Sequence, residues 1–302
     1  MNHMMDTKAS MKITGFTFIK DAIQYDYPII EAIKSILPIC THFVVAVGKS
    51  NDETLKLIQS IESDKIKIIE TVWDETQRQG GRVLALETDK AYQAIDDDSD
   101  WCFYIQGDEV VHEKYLPVIE NAMKSYKDNK EIDGLLFHYL HFYGSYDYIA
   151  TASNFYKKEI RIIRKNKSIF SYRDAQGFRK NENDKLNVVQ IEAFIYHYGW
   201  VKQPKAMQAK QENFNKYWHD DEWVNQHIAK VDEFDYSNIN TLDKFMGTHP
   251  QIMHARIERI NWDFEYDISY NKYSLKERFK KILFRLTGID LNYKNYNLLK
   301  KK

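Results

Sequence analysis

Residues 101–109 read WCFYIQGDE: an apolar run from Trp101 to Ile105, then Gln106, Gly107 and two adjacent carboxylates, Asp108 and Glu109. The apolar run has the length and composition of a strand buried on both faces, and the polar residues form the turn at its carboxyl end. The same grammar repeats upstream. KITGFTFI (Lys12 to Ile19), THFVVAV (Thr41 to Val47) and Lys65 to Val72 are three further strand-like runs. Between them lie segments of helical period: Ile29, Ile33, Ile36 and Leu37, then Leu57, Ile58 and Ile61, then Val83 to Ala94 after Gly80-Gly81. Asp26 is placed to cap the first helix, and Pro28 to occupy its first turn. Four strands alternating with helices predict parallel crossover units, and hence an α/β chain with a doubly wound sheet flanked by helices.

Beyond residue 111 the pattern changes. LLFHYLHFY (Leu135 to Tyr143), EIRIIR (Glu159 to Arg164) and AFIYHY (Ala193 to Tyr198) are strand candidates, Gln203 to His219 is helical, and Leu275, Phe279, Ile282, Leu283 and Leu286 form a last helical stripe. These predict a mixed, mostly parallel sheet and a helical C-terminal extension. Residues 1–11 carry no pattern and are expected to be disordered.

Composition narrows the function classes. Of 302 residues, 43 are Lys or Arg and 44 Asp or Glu, a net charge of -1 that gives no electrostatic case for nucleic acid. No apolar run is long enough to span a bilayer, and the chain does not open like a signal peptide. Cys40 and Cys102 both sit in apolar segments, so a disulfide scaffold is excluded and a cytoplasmic location is expected. Aromatic residues reach 14%, enough for core packing and for stacking on sugars or bases alike.

In open α/β sheets ligands bind beyond the carboxyl ends of the strands. The turn Gln106 to Glu109 lies at such an end, and hard divalent ions prefer carboxylate oxygens and share substrate phosphates. The same residues also read as ordinary polar loop positions, with Glu109 or Glu113 helping to start the helix after Val111.

Taken in order, these segments resemble the nucleotide-sugar half of family 2 glycosyltransferases with the GT-A fold, over about residues 12 to 200. KITGFTFIKDA resembles their first strand and turn, VVAVGKSNDET their second strand and its Asp-Ser-x-Asp-x-Thr turn, GGRVLALETDKAY the helix that starts near the donor, and WCFYIQGDE the strand leading into the Asp-x-Asp motif. Two positions depart from the pattern. Gln106 replaces the first Asp of that motif, and Gly48 replaces the acid that often ends the second strand. The resemblance implies a GT-A-like domain over 12–240, with a donor half to about 110 and an acceptor half after it, followed by the extension 241–302. The implied activity is transfer of a sugar from a nucleotide-diphospho-sugar to an acceptor hydroxyl, with inversion, in bacterial surface-polysaccharide or lipid-linked glycan assembly.

That chemistry needs positive charge where the diphosphate departs and a base where the acceptor hydroxyl loses its proton. The resemblance assigns a Mg2+ or Mn2+ ion to Asp108, with Glu109 second, and to His197 in FIYHYGW. Phe18, Ser50, Asp52, Arg82, Gln106 and Arg161 are the expected donor-binding residues. Arg161 and Arg164 stand at odd spacing and face opposite sides of a strand, so one is expected near the diphosphate and the other solvated or ion-paired. The acceptor-side loop FSYRDAQGFRK reads Ala175-Gln176-Gly177 where similar enzymes place an acid, which leaves Asp174 as the base, with Glu192 as a fallback. His138, His141, Tyr143 and Tyr146 read as a sugar platform or as aromatic packing; Trp200, Trp218 and Trp223 read the same two ways. His249 and His254 are expected to be structural.

Residues 274–302 hold nine basic and two acidic side chains around the apolar stripe. This is a basic amphipathic helix suited to an anionic inner-leaflet surface, or a packed helix with a solvated outer face. The competing functional class is a GT-A-like nucleotide- or carbohydrate-binding protein without catalysis, favoured by Gln106 and the missing loop acid. A nucleotidyltransferase would want a Gly-rich phosphate loop after the first strand, and Phe18 to Ala22 contains no glycine.

Overall fold

The computed structural model describes residues 10–77, 79–228, 230–273, 275–287 and 293–300. The disorder expected for the N-terminus falls on residues 1–9, outside the described residues, while Met11 packs against the core.

The first half follows the sequence pattern closely. β1 (Ile13–Ile19), α1 (Ile29–Ile36), β2 (His42–Gly48), α2 (Thr54–Gln59), β3 (Ile66–Thr71), α3 (Arg82–Gln93) and β4 (Trp101–Tyr104) alternate along the chain. Their strands pair in the order β3-β2-β1-β4, all parallel. Both faces of β1, β2 and β4 are covered, which is why those strands read as continuous apolar runs, whereas the edge strand β3 is only partly covered and carries exposed Lys67 and Glu70. Phe43, Val45 and Phe103 face Ile29, Ile33 and Ile36 of α1, whereas Val44, Ala46 and Tyr104 face Val83, Leu84 and Tyr92 of α3. Burying one such Ile or Leu side chain is worth about 1.5–3 kcal/mol. β2 leaves β1 on one side and β4 pairs on the other, so the chain order reverses between β1 and β4, and a crevice opens beyond their carboxyl ends.

The second half closes that crevice. β5 (Glu109–Val111) and α4 (Leu116–Tyr126) lead into β6 (Gly134–Tyr143), β7 (Tyr148–Ala150), β8 (Lys158–Ile163), β9 (Ile169–Tyr172), β10 (Gly177–Lys180), β11 (Asp184–Lys185) and the long β12 (Asn187–Trp200). β8 lies antiparallel between β4 and β6, and β12 runs parallel to β6 while accepting β5 antiparallel on its other edge. β9, β10 and β11 form a small separate sheet. α5 (Pro204–Phe214), α6 (Asp221–His227), β13 (Leu242–Lys244), α7 (His254–Glu258), α8 (Leu275–Thr287) and β14 (Asn297–Leu298) complete the chain. The architecture is the expected one: a mixed sheet, parallel through its first half, flanked by helices.

Three local expectations are corrected. Asp26 does not cap α1; it sits at φ 46° with its carboxylate 2.7 Å from Arg256 Nη1, and Pro28 precedes the helix without a side-chain cap. Nor is the C-terminal extension wholly helical. β13 pairs with β7, and β14 adds a parallel edge to the start of β12. The helix expected from Gln203 to His219 ends at Phe214, continues as one tighter turn over Asn215–Tyr217, and breaks before α6.

Candidate active site

The crevice at the β1/β4 switch point is a cavity of about 520 Å³. Phe18, Ile19 and Lys20 enter from the end of β1, Gln106 to Asp108 from the end of β4, and His197 and Trp200 from β12. Asp174 enters from the β9–β10 loop, and α5 with the turn after it covers the opening with Lys210, Phe214, Tyr217 and Trp218.

Asp108 is held by its backbone, whose carbonyl accepts from Tyr198 N at 2.8 Å. Its Oδ2 lies 3.3 Å from Lys210 Nζ, and its Oδ1 lies 3.7 Å from His197 Nε2. Burial opposes the negative charge, but Lys210, Lys202 and, whenever its ring is protonated, His197 outweigh it and hold the carboxyl well below the usual range. Gly199 makes this proximity possible. A Cβ there would stand 2.6 Å from His197 Cε1 and 2.7 Å from Asp108 Oδ2, so any side chain would force the pair apart. Lys210 Nζ also donates to the Gly199 carbonyl at 3.0 Å.

The donor set is compatible with a divalent ion. Asp108 and His197, whose Oδ1 and Nε2 lie 3.7 Å apart, are the residues that would hold such an ion, and it would supply positive charge to the cavity. Among the described residues no group of three or more His, Cys, Asp and Glu is arranged to hold an ion. Two protein ligands suit a hard ion such as Mg2+ or Mn2+ that takes its remaining oxygens from water and substrate phosphates.

Glu109, adjacent to Asp108, is placed elsewhere, and the metal-ligand expectation for it is corrected. Its carboxylate points into the core, with no exposure, and grips Arg161 in a two-point ion pair: Nη2–Oε1 2.7 Å and Nε–Oε2 2.8 Å. Tyr139 donates to Oε1 at 2.8 Å and Gln106 N to Oε2 at 3.1 Å. Burial works against the Arg161 charge, and the Glu109 carboxylate more than restores it, so the guanidinium is held firmly protonated. Arg161 therefore is no diphosphate ligand. Its remaining N–H groups bond the Ile160 and Gln176 carbonyls. Arg164 does not reach the cavity either; it stacks on Trp101 at 3.9 Å and donates to the Ile132, Tyr126 and Asn129 carbonyls.

The buried pair organises both sides of the site. Through Gln106 N it fixes the turn that carries Asp108, and through the Gln176 carbonyl it fixes the loop that carries Asp174. That loop is strained: Arg173 and Ala175, on either side of Asp174, have φ of 57° and 64°. Non-glycine residues there cost of order 1–3 kcal/mol each and persist only where surrounding bonds over-determine them. Gln106 Nε2 supplies one such bond, donating to the Ala175 carbonyl at 3.0 Å. Gly81 lies against Asp174, where a Cβ would come within 2.6 Å of the Asp174 Cβ. Burial raises the Asp174 carboxyl above its ordinary value.

Three other expected residues stand outside the cavity lining. Ser50 and Asp52 brace the loop after β1: Ser50 Oγ accepts from Asp21 N at 3.0 Å, and Asp52 Oδ2 from Ile23 N and Gln24 N at 3.0 and 2.8 Å. Arg82 begins α3 and is exposed. The fallback base Glu192 is likewise exposed and away from the cavity. Phe18, Gln106, Asp108, Asp174 and His197 line it together.

Sequence reading did not single out Lys210, Lys20 or Trp73. Lys210 sits in a polar helix with no motif around it. Trp73 packs over Gly48, whose Cβ would meet the indole Nε1 at 2.4 Å, and forms with Phe18 and Tyr217 an aromatic wall at ring distances of 5.7 and 5.3 Å. The absence of a side chain at Gly48 was the available signal. Among the paired readings, His141 lines the cavity, whereas His138 stacks on Phe194, and Tyr143 and Tyr146 are packed in satellite cores. Trp200 and Trp218 line the cavity, and Trp223 stacks between His219 and His227 on α6. His249 bridges Tyr198 Oη and the Tyr146 carbonyl.

No protein-family model and no curated protein matches the chain. Among solved structures, it is similar to TarS of S. aureus, with 12% identity and a TM-score of 0.39 over 67% of this chain and 39% of that one. The 1–349 form of TarS in complex with UDP gives 11% identity and a TM-score of 0.38, over 74% and 68%. Glucosyl-3-phosphoglycerate synthase from Mycobacterium tuberculosis, in complex with Mn2+, UDP and phosphoglyceric acid, gives 18% and 0.29, over 44% of each chain. The chain thus spans well under half the length of the first of these.

Proposed function

We propose that the chain is a glycosyltransferase that moves a sugar from a nucleotide-diphospho-sugar to an acceptor hydroxyl. The observation that carries this reading is the meeting, in one cavity at the switch point, of the Asp108–His197–Lys210 cluster with a second, separately held carboxylate, Asp174. The wall of Phe18, Trp73 and Tyr217 offers flat faces to a nucleobase. Lys210 and Lys20 bring positive charge to the side where a diphosphate departs. Asp108 and His197 would hold Mg2+ or Mn2+, which when bound supplies Lewis-acid neutralisation of the leaving group. Asp174, its carboxyl raised by burial, takes the acceptor proton, and a single carboxylate on that side suits direct displacement with inversion.

The test is a panel of UDP, GDP, CMP and dTDP sugars with and without Mn2+, read by thermal shift and by release of the free nucleotide. At least one donor should raise the melting temperature and be hydrolysed slowly without acceptor, and Asp108→Ala should stop the release. Binding without release across all donors and acceptors would instead favour a non-catalytic binding protein, the reading that Gln106 supports.

The acceptor side extends the proposal. On α8, Leu275, Phe279, Ile282 and Leu286 share one face and are 85%, 62%, 56% and 80% exposed. An apolar stripe left open on a basic helix suits an anionic membrane surface, and so a lipid-linked glycan acceptor. Ser274, residues 288–292 and residues 301–302 of the basic tail lie outside the described residues. No helix among the described residues is long and apolar enough to cross a membrane. Because the tail also supplies β14, the test replaces Phe279 and Ile282 by Ser rather than deleting it. Liposomes rich in anionic lipid should bind the parent chain in a salt-sensitive way and lose the variant; equal binding of both would refute the contact.

A further inference from the structure

β6 and β12 run parallel with His141 and His197 as direct register partners, so the two imidazoles lie side by side. Their Nδ1 atoms are 3.1 Å apart, and the other nitrogen of His141, Nε2, is 2.7 Å from the Tyr156 carbonyl oxygen. Resting on the reading of Asp108 and His197 as a cation-holding pair, we propose that His141 is a positioning residue. It fixes His197 in the tautomer whose Nε2 is bare and aimed at the Asp108 side of the cavity.

The argument is one of donors and acceptors. A carbonyl oxygen only accepts, so the hydrogen on His141 must be on Nε2. His141 is enclosed by Tyr139, Phe155 and Tyr156, with ring centroids at 5.4, 5.3 and 4.6 Å, and among the described residues its hydrogen bonds go to His197 and the Tyr156 carbonyl rather than to a carboxylate. Such a wall favours the neutral ring, which leaves Nδ1 as an acceptor. The 3.1 Å contact is then a bond donated by His197 Nδ1–H. A neutral His197 that spends its hydrogen there presents a lone pair at Nε2. That lone pair faces the Asp108 carboxylate oxygen at 3.7 Å, too far for a hydrogen bond. Two lone-pair atoms converging with no hydrogen between them repel each other unless a cation joins them. Metal-bound histidines commonly have their tautomer set in this way, by an acceptor on the opposite nitrogen. Here the acceptor is another histidine, itself oriented by a main-chain carbonyl.

Long-range proton–nitrogen spectra of the 15N-histidine-labelled chain, without metal, test the tautomer directly. His197 should show a protonated Nδ1 and a bare Nε2, and a protonated Nε2 would overturn the proposal. Mn2+ affinity in the presence of UDP, measured by electron paramagnetic resonance, tests its consequence. His141→Phe removes the acceptor and should weaken Mn2+ by about 10–100-fold, the usual cost of losing such a partner. His141→Gln, whose side-chain carbonyl can accept from Nδ1, should recover part of the loss. Equal Mn2+ affinity in the parent chain and His141→Phe would refute the positioning role. If the parent chain shows the expected tautomer yet binds no Mn2+, the relay stands and the metal reading falls. If it binds Mn2+ with Nε2 protonated in the free state, the metal reading stands and the relay falls. Should His141→Phe fail to fold, the parent spectrum still decides.

Discussion

Replacing Glu109 by Gln separates a structural carboxylate from a metal ligand one residue away. In the native chain both oxygens of Glu109 meet Arg161, at 2.7 and 2.8 Å, with neither side chain exposed. The amide keeps one oxygen but turns an NH2 group towards the guanidinium. Arg161 is then left in the core with the Ile160 and Gln176 carbonyls and no counter-charge. Breaking one side of a buried pair costs about 3–5 kcal/mol. Unfolding entropy is about 2.1 cal/mol/K per residue, so over 302 residues each kcal/mol moves Tm by about 1.6 °C. Glu109→Gln should therefore lower Tm by roughly 5–8 °C in a calorimetric scan. The double variant Glu109→Leu with Arg161→Met should regain most of the loss, because a buried pair replaced as a unit is often neutral or stabilising. Donor turnover should fall in both variants, since the pair also orients the Asp108 turn and the Asp174 loop. A Tm unchanged in Glu109→Gln, together with lost Mn2+ affinity, would refute the reasoning and return Glu109 to the metal.

Two further outcomes follow from the same geometry. Gly199→Ala should cost only about 1–3 kcal/mol in stability from overcrowding, yet weaken Mn2+ at least about tenfold by pushing Asp108 and His197 apart; titration calorimetry with unaltered affinity would show that the two do not act together. Glu159 is buried, and burial lifts its carboxyl from the ordinary 4.5 to about 8. The folded chain thus binds that proton more tightly than the unfolded one, and the stability it contributes is full below pH 4.5 and lost as pH climbs to about 8. Glu159→Gln should flatten that decline, so its Tm should gain on the parent between pH 5 and pH 8, and parallel profiles would contradict the assignment.

Much of the fold was legible because its signals are local. The parallel half announces itself as apolar runs of strand length, three of them covered on both faces, and the turns between them carry the punctuation expected of crossover units. The same locality hid the site's internal order. Asp108 and Glu109 are neighbours, and nothing in their immediate sequence says which one faces the cavity. Successive residues entering a strand point to opposite sides, so a shift of one position exchanges the roles. What fixes the choice is Arg161, 52 residues away in sequence, on a strand where Ile160, Ile162 and Ile163 are all buried. An arginine inside a run of buried isoleucines cannot face water, and a buried guanidinium requires a carboxylate. In sequence, EIRIIR read as a strand with one arginine near the diphosphate, and this demand for an acid partner went unread. Only the sheet order, with β8 beside β4, shows that Glu109 meets it and thereby leaves Asp108 to the cavity.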